Sequence, residues 1–247
     1  MGIFSSREHR YELMPRPRGK TSAIIVAAGA STRMKNVNKQ FLELGGMPVL
    51  ARTIRAFECT DIISEIVVCV KQEDIRRTRE MIEKYRFKKV KEVALGGSTR
   101  QASVLNALKC VSEGIKWVAI HDGARPFVTA DEIIRCALAC ESYGAAALAV
   151  PVKDTIKIVD DRGFIAATPE RDMLRAVQTP QVFQLEDYQR AVEQLGDAVF
   201  NYTDDCKLME QIGRPVFLVD GSYENIKITT PEDIPAAQAI LESRGEA

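Results

Sequence analysis

AIIVAAGASTRM, residues 23–34, together with the KQF that follows at 39–41, decides how the chain is read. An apolar run of strand length breaks into small residues, and an arginine and a lysine follow where a helix or loop begins. Small side chains at Ala27, Ala28, Gly29 and Ala30 let backbone N–H groups approach a ligand closely. Arg33 and Lys39 supply positive charge for phosphates. Taken alone the motif is weak, because an ordinary strand-to-loop corner with two solvated cations has the same composition. Its meaning depends on what the rest of the chain places beside it.

Outward from this stretch, strand and helix patterns alternate from Thr21 onward, the signature of a mainly parallel sheet covered on both faces. PVLARTIRAFE at 48–58 carries Val49, Leu50, Thr53, Ile54 and Phe57 at helical spacing, and EIVVCV at 65–70 is a buried strand. A charged surface helix is expected over 73–84 and a third strand over 89–95. GGSTR at 96–100 is a second Gly-rich strand-to-helix turn. Its helix turns Val104, Leu108 and Val111 toward the sheet and leaves Ser103 near the turn, so the two turns can face one ligand.

WVAIHDGARPF at 117–127 supplies the third part of the site. Four apolar residues make a central strand, and Asp122 falls just past its end, where open α/β sheets bind ligands. A carboxylate there can hold magnesium and is expected to be accessible. Gly123 permits a close approach, Arg125 adds a cation and Pro126 stops the strand. The same residues also suit a purely structural turn closed by Asp122 and Arg125. His121, with no serine or cysteine nucleophile motif near it, reads as a strand-end packing residue and not a catalyst.

Residues 145–183 begin as a strand and then alternate apolar and polar side chains around a DDRG turn, a hairpin signal. An arm over about 154–175 would expose Ile156, Ile158, Phe164 and Ile165, and a two-stranded ribbon needs a covering surface. Residues 186–212 read as two helices separated by FNYTDD, with Thr203 and Asp204 able to cap the second. PVFLVDG and ENIKI are expected as late strands. TTPEDI opens the last helix with Thr230 as N-cap, Pro231 at the first position and Asp233 at the third.

Composition limits what such a site belongs to. The chain has 247 residues, 46% of them hydrophobic, enough for one α/β domain over 21–247 behind a flexible basic extension at 1–20 that lacks the apolar core of a signal peptide. Formal net charge is zero, so no global field recruits nucleic acid or membrane. No stretch reaches the about 18 consecutive apolar residues of a membrane span. Six cysteines without a CxxC pair suit a reduced, cytoplasmic protein, and Cys136 and Cys140 read as packing residues on one helix face.

AAGASTRM with KQF, GGSTRQASV, HDGARPF, VKDTIK, AVQTPQVF, YTDDCKLME and ENIKITTPEDI follow one another from about Thr21 to the C-terminus. In that order they resemble the 2-C-methyl-D-erythritol 4-phosphate cytidylyltransferase family. The resemblance implies a Rossmann-like nucleotidyltransferase fold of the α/β class with a protruding β-arm, a magnesium cofactor, a homodimer joined through the arm, and the joining of CTP to a polyol phosphate with release of pyrophosphate. It implies that Ala27, Ala28, Gly29, Gly97 and Ser103 surround the cytosine and ribose, and that Arg33 and Lys39 bind triphosphate. By the same resemblance Asp122 binds the metal, with Gly123 in the CTP site and Arg125 on the substrate side. Thr155, Arg171, Thr203 and Lys227 surround the polyol phosphate, with Lys227 also near the reacting α-phosphate.

The chain departs from the family pattern at Ser31, where many members have glycine, at Gly123, where alanine is common, and at Ser98, where an acidic residue can occur. Altered affinity, not loss, is expected from Ser31. Two other readings are weighed against the first. A cytidylyltransferase for another polyol phosphate, such as ribitol 5-phosphate, would share the nucleotide half of the site. A nicotinamide-dependent oxidoreductase also starts with a Gly-rich turn, but AAGAST lacks GxGxxG and no acidic residue ends EIVVCV.

Overall fold

Alternation along the first strand sets the layering. The computed structural model describes residues 17–29, 34 and 38–246. Strand β1 (Lys20–Val26) sends Ala23 and Ile25 into one apolar cluster and Ile24 into another, on opposite faces of the sheet. The first cluster is completed by Leu50, Ile54 and Phe57 of α1 (Val49–Glu58), Met81 of α2 (Ile75–Tyr85) and Ile133 and Ala137 of α4 (Ala130–Tyr143). The second takes Val104 and Ala107 from α3 (Arg100–Leu108), Tyr188 and Ala191 from α5 (Leu185–Leu195) and Leu208 and Met209 from α6 (Asp205–Gln211). Each fully buried Ile, Leu or Phe here contributes roughly 1.5–3 kcal/mol. A charge placed at Ile24 or Ile25 would break one layer.

Seven strands form the sheet in the order β11-β7-β10-β6-β1-β4-β5. They are β4 (Ile63–Val70), β5 (Val90–Leu95), β6 (Ile115–Asp122), β7 (Ala145–Pro151), β10 (Arg175–Gln184) and β11 (Phe217–Asp220), with β1 near the middle. β1 runs parallel to β4 and β6, and β4 to β5, whereas β10 lies antiparallel between β6 and β7. Beside the sheet are two short pairs, β2 (Glu43–Leu44) with β3 (Met47–Pro48), and β8 (Ile158–Val159) with β9 (Ile165–Ala167). A third apolar cluster seats α7 (Asp233–Arg244) through Ala237 and Leu241 against Leu44, Val49, Phe127 and Ile228.

The order in which strands are added reverses between β1 and β6. From β1 the chain proceeds to β4 on one side, and from β6 toward β7 on the other, which opens a crevice at the carboxyl ends of the strands. Register puts three loops there at one level. Val26 lies opposite both Cys69 and Asp122, and Val70 opposite Leu95. The ladders run one step further through Ala27 N–H to Cys69 O (2.7 Å), Gly96 N–H to Val70 O (2.7 Å) and Gly123 N–H to Val26 O (2.8 Å).

Several boundaries differ from the sequence expectation. ENIKI is not a strand: residues 224–228 cross the carboxyl edge of the sheet irregularly, held by Ile228 N–H to Ala124 O at 2.9 Å. α3 stops at Leu108, so Val111 lies outside it, partly buried against the same cluster. Asp204, and not Thr203, caps α6 by accepting from Lys207 N–H. The last helix starts at Asp233, later than expected; the Asp233 carboxylate nevertheless reaches back to the N–H groups of Thr229 and Thr230 at 2.7 and 2.9 Å. The DDRG hairpin turn forms as expected, with Asp160 accepting from Phe164 N–H and Gly163 at φ 86°.

Candidate active site

Asp122 closes β6 and points into a cluster of cations. Lys227 Nζ lies 2.7 Å from Oδ2, Arg125 Nε 3.8 Å from the same oxygen, and Arg100 Nε 3.3 Å from Oδ1. Asp122 is only 8% exposed. Burial would by itself raise its pKa, but Arg100, then Lys227 and Arg125, hold it well below the usual carboxylate range. It is therefore an anion at neutral pH, surrounded by more positive charge than it cancels.

Each neighbour is fixed by its own framework. Arg100 donates from Nη1 to Asp205 at 2.6 Å, and Asp205, fully buried, also accepts from Tyr188 Oη at 2.7 Å. The Gly-rich turn before Arg100 is held by Thr99, whose Oγ1 accepts from Ala102 N–H at 3.0 Å as the cap of α3. Ser103 Oγ accepts from Gly97 N–H at 3.0 Å and donates to Thr99 O at 2.9 Å, so it bolts the turn to the helix. A side chain on Gly96 would run into Ala28, and one on Gly97 into Ala102, which is why two glycines stand where the loops meet.

Behind Asp122 sits a relay of neutral groups. Asp122 N–H donates to Thr179 Oγ1 at 3.1 Å, and the Thr179 hydroxyl, 3.0 Å from His121 Nδ1, donates its proton there. His121 Nε2, 3.1 Å from Arg125 O, must then carry the ring hydrogen, because a carbonyl oxygen only accepts. Burial pulls His121 down to about 4, which keeps it neutral at physiological pH. Packed against Phe57 at 4.9 Å between ring centroids, it is the structural residue that the sequence suggested.

Two cavities meet at this cluster. The larger, about 550 Å³, is walled by Ala28, Gly29, Lys39, Lys71, Gly97, Ser98, Thr99, Ser103 and Thr229, and the smaller, about 170 Å³, by Arg125, Gln178, Thr179, Gln181, Thr203 and Asp204. Arg100, Asp122 and Lys227 line both. Lys39 reaches the larger cavity while donating to Ile228 O at 2.9 Å. An excess of fixed cations in a partly enclosed cleft suits a polyanion such as a triphosphate.

Of the residues singled out in the sequence, Ala28, Gly29, Lys39, Gly97, Ser103, Asp122, Arg125, Thr203 and Lys227 come together around these cavities. Ala27 and Gly123 lie underneath: Ala27 spends its N–H on the sheet, and a Cβ at Gly123 would meet Ala27, Gln40 and Leu50 at 2.9 to 3.2 Å. Thr155 and Arg171 lie exposed on the arm, Arg171 donating to Lys153 O at 3.4 Å, and line neither cavity. Arg33, with Ala30 and Ser31, falls outside the described residues. Sequence reasoning missed Arg100, Asp205, Gln178 and Asn225. Arg100 had a legible signal, since a cation in the first turn of a helix faces the unfavourable end of the dipole and needs an anion nearby.

Among the described residues no three His, Cys, Asp or Glu side chains gather to hold a metal. One ionised carboxylate beside a phosphate-sized cleft fits an ion held by a single protein ligand and completed by substrate phosphates and water.

A mainly parallel sheet with helices on both faces, a cation-walled cleft at its switch point and a second cavity sharing the central carboxylate define a Rossmann-like nucleotidyltransferase. The chain belongs to the 2-C-methyl-D-erythritol 4-phosphate cytidylyltransferase family, whose profile it matches over residues 21–243. Relatives of that description from Caldanaerobacter subterraneus subsp. tengcongensis and Desulforamulus reducens are 46% and 47% identical, over 89% and 92% of this chain and 98% and 97% of theirs. Among solved structures, the 4-diphosphocytidyl-2C-methyl-D-erythritol synthase of Anaerococcus prevotii is 34% identical with a TM-score of 0.82, over 91% of this chain and 96% of its own. The 2-C-methyl-D-erythritol 4-phosphate cytidylyltransferase of Thermus thermophilus is 31% identical with a TM-score of 0.72, over 90% and 99%. The oxidoreductase reading is thereby set aside, and the ribitol phosphate reading is not favoured.

Proposed function

We propose that the chain transfers CMP from CTP to 2-C-methyl-D-erythritol 4-phosphate, giving 4-diphosphocytidyl-2-C-methyl-D-erythritol and pyrophosphate, with CTP in the larger cavity and the polyol phosphate in the smaller. The observation that carries this assignment is the meeting of the two cavities at Arg100, Asp122 and Lys227. A phosphate oxygen of the polyol substrate attacks the α-phosphorus, and the bond from that phosphorus to the bridging oxygen breaks as pyrophosphate leaves. Two anions must approach each other in line, so most of the catalysis lies in positioning and charge stabilisation.

Lys39, at the head of a 3-10 turn (Lys39–Phe41), and Lys227, on an irregular stretch, come from points far apart in sequence and supply cations next to the reacting phosphate. Arg33 is assigned to the triphosphate by the family resemblance. Ala28, Gly29, Gly97 and Ser103 shape the nucleoside end, Ser103 by ordering the turn, while Ala27 and Gly123 act from beneath by letting the loops pack. Arg125 and Thr203 face the polyol side. Asp122 would hold magnesium, which when bound supplies further charge neutralisation for the phosphates. Displacing Lys227 from Asp122 toward phosphate would free that carboxylate.

The arm carries Thr155 and Arg171, and we assign it to a homodimer in which it completes the partner's polyol phosphate site. Support comes from its exposed apolar side chains, Phe164 being 67% exposed. No helix among the described residues is long and apolar enough to cross a membrane, and all six cysteines are free thiols, which supports a cytoplasmic setting. The test of function is pyrophosphate release from CTP with a panel of polyol phosphates. Release with the methylerythritol substrate and little with ribitol 5-phosphate is expected, and the reverse would overturn the assignment.

A further inference from the structure

Lys227 sits on a stretch with no regular secondary structure, yet its ammonium is held 2.7 Å from Asp122. Something other than a helix or strand must fix it. Asn225, two residues earlier and fully buried, donates from Nδ2 to Gln178 Oε1 at 3.2 Å and to Thr179 O at 3.0 Å. Gln178 is oriented in turn by its Nε2, which donates to Ser222 O at 2.9 Å. Since Ser222 O and Thr179 O can only accept, both amide orientations are determined. Gly221 belongs to the same device: a Cβ there would lie 2.6 Å from Gln178 Oε1. The far side of Lys227 is tied by Ile228, whose N–H donates to Ala124 O and whose carbonyl accepts from Lys39.

From this geometry we propose that Asn225 is a positioning residue for the transfer reaction, clamping the 221–228 segment to β10 so that Lys227 is presented at the reacting phosphate. The proposal rests on the assigned role of Lys227 and deepens it. Asn225 lines neither cavity; it acts from behind the wall, through Gln178 and Thr179 and through its carbonyl, which accepts from Arg125 Nη1 at 2.8 Å, and so places the backbone that carries Lys227. β10 can receive the clamp because its register shifts between Val177 and Gln181, which takes Gln178 and Thr179 out of the ladder with β7.

A double-mutant cycle separates positioning from general structural support. Turnover and the CTP requirement are measured by pyrophosphate release for wild type, Asn225→Ala, Lys227→Ala and the double variant, with thermal unfolding to verify the fold. Asn225→Ala should lower kcat about tenfold or more while changing the KM for CTP far less, and it should add almost nothing in the Lys227→Ala background. Asn225→Asp should be at least as damaging as Asn225→Ala, because a carboxylate would face two acceptors with no hydrogen to offer. If Asn225→Ala does not fold, Asn225→Ser is carried through the same cycle. Full turnover in a folded Asn225 variant, or the same fold-loss with and without Lys227, overturns the proposal. Full turnover in Lys227→Ala alone removes the assigned role of Lys227, and the proposal falls with it.

Discussion

Asp122 pairs with three cations at once, and that changes what its replacement should do. Read from sequence, it was an accessible strand-end carboxylate whose loss would leave the fold intact. In the structure it is buried and offsets Arg100, Arg125 and Lys227. Asp122→Asn should therefore lower stability, since removing one partner of a buried ion pair typically costs about 3–5 kcal/mol, and, on the proposed metal role of Asp122, lower activity by weakening magnesium binding. A variant with wild-type turnover at limiting magnesium would make the residue purely structural. Because its folded pKa is depressed, the stability it contributes is present above the ordinary carboxylate range and is lost as pH falls below it. His121 acts at a higher pH. The unfolded histidine takes up a proton near pH 6.5, while the folded one stays neutral until about 4. Stability should thus fall as pH drops through that window, and His121→Gln should flatten this part of a pH–denaturation profile. For Lys39→Ala and Lys227→Ala, loss of a charge donor at the transferring phosphate is expected to cost about 3–4 kcal/mol in barrier, roughly a hundredfold to a thousandfold in turnover. Variants that only raised the CTP concentration required would place both lysines in ground-state binding.

At the scale of elements, legibility followed local chemistry. β1, β4 and β6 carry apolar runs closed by small residues or a charge, and β5 ends on the apolar residues 93–95 just before two glycines, so their existence and the position of Asp122 could be read directly. The GGST turn was legible for the same reason, and Thr99 caps the helix that follows it. Thr99→Ala removes the bond to Ala102 N–H and should destabilise the protein by about 1 kcal/mol in chemical denaturation, while raising the CTP requirement as the turn loosens. An unchanged CTP requirement would mean that the turn is held by Ser103 alone. β10 escaped notice because Pro180 interrupts AVQTPQVF and a proline argues against a central strand. The register shift there accommodates it. The ENIKI segment was misread for the opposite reason: its alternating Ile226 and Ile228 have strand periodicity, but Ile228 packs under α7 while Asn225 is held by the Gln178 side chain and the Thr179 carbonyl of a strand distant in sequence. Arg100 and Asp205 illustrate the same limit, since a contact between residues 105 positions apart leaves no periodic trace.

For the whole molecule, the arm poses a problem that one chain does not solve. Its strands β8 and β9 are two and three residues long and pair with each other, yet they present Ile158, Val159, Phe164 and Ile165 to solvent, with Met173 beyond them. Such a ribbon is marginally stable in water without a covering surface. Thr155 and Arg171 are also displaced from the two cavities at which the other assigned residues meet. Both difficulties are resolved if two chains exchange arms about a two-fold axis, burying the apolar side chains and delivering the partner's arm to each polyol site. Sedimentation should then show a dimer, and deletion of 154–175 should yield monomer with little turnover. The decisive measurement uses mixed dimers. An Arg171→Ala chain lacks its arm cation but keeps a working Lys39, whereas a Lys39→Ala chain keeps the arm. Mixing the two after reversible dissociation gives heterodimers in which one site has both an intact Lys39 and an intact Arg171 supplied across the interface. Activity should rise toward half that of wild type per heterodimer. If heterodimers verified by mass show no gain over the parents, Arg171 serves its own chain's site or none, and the shared-site assignment is wrong.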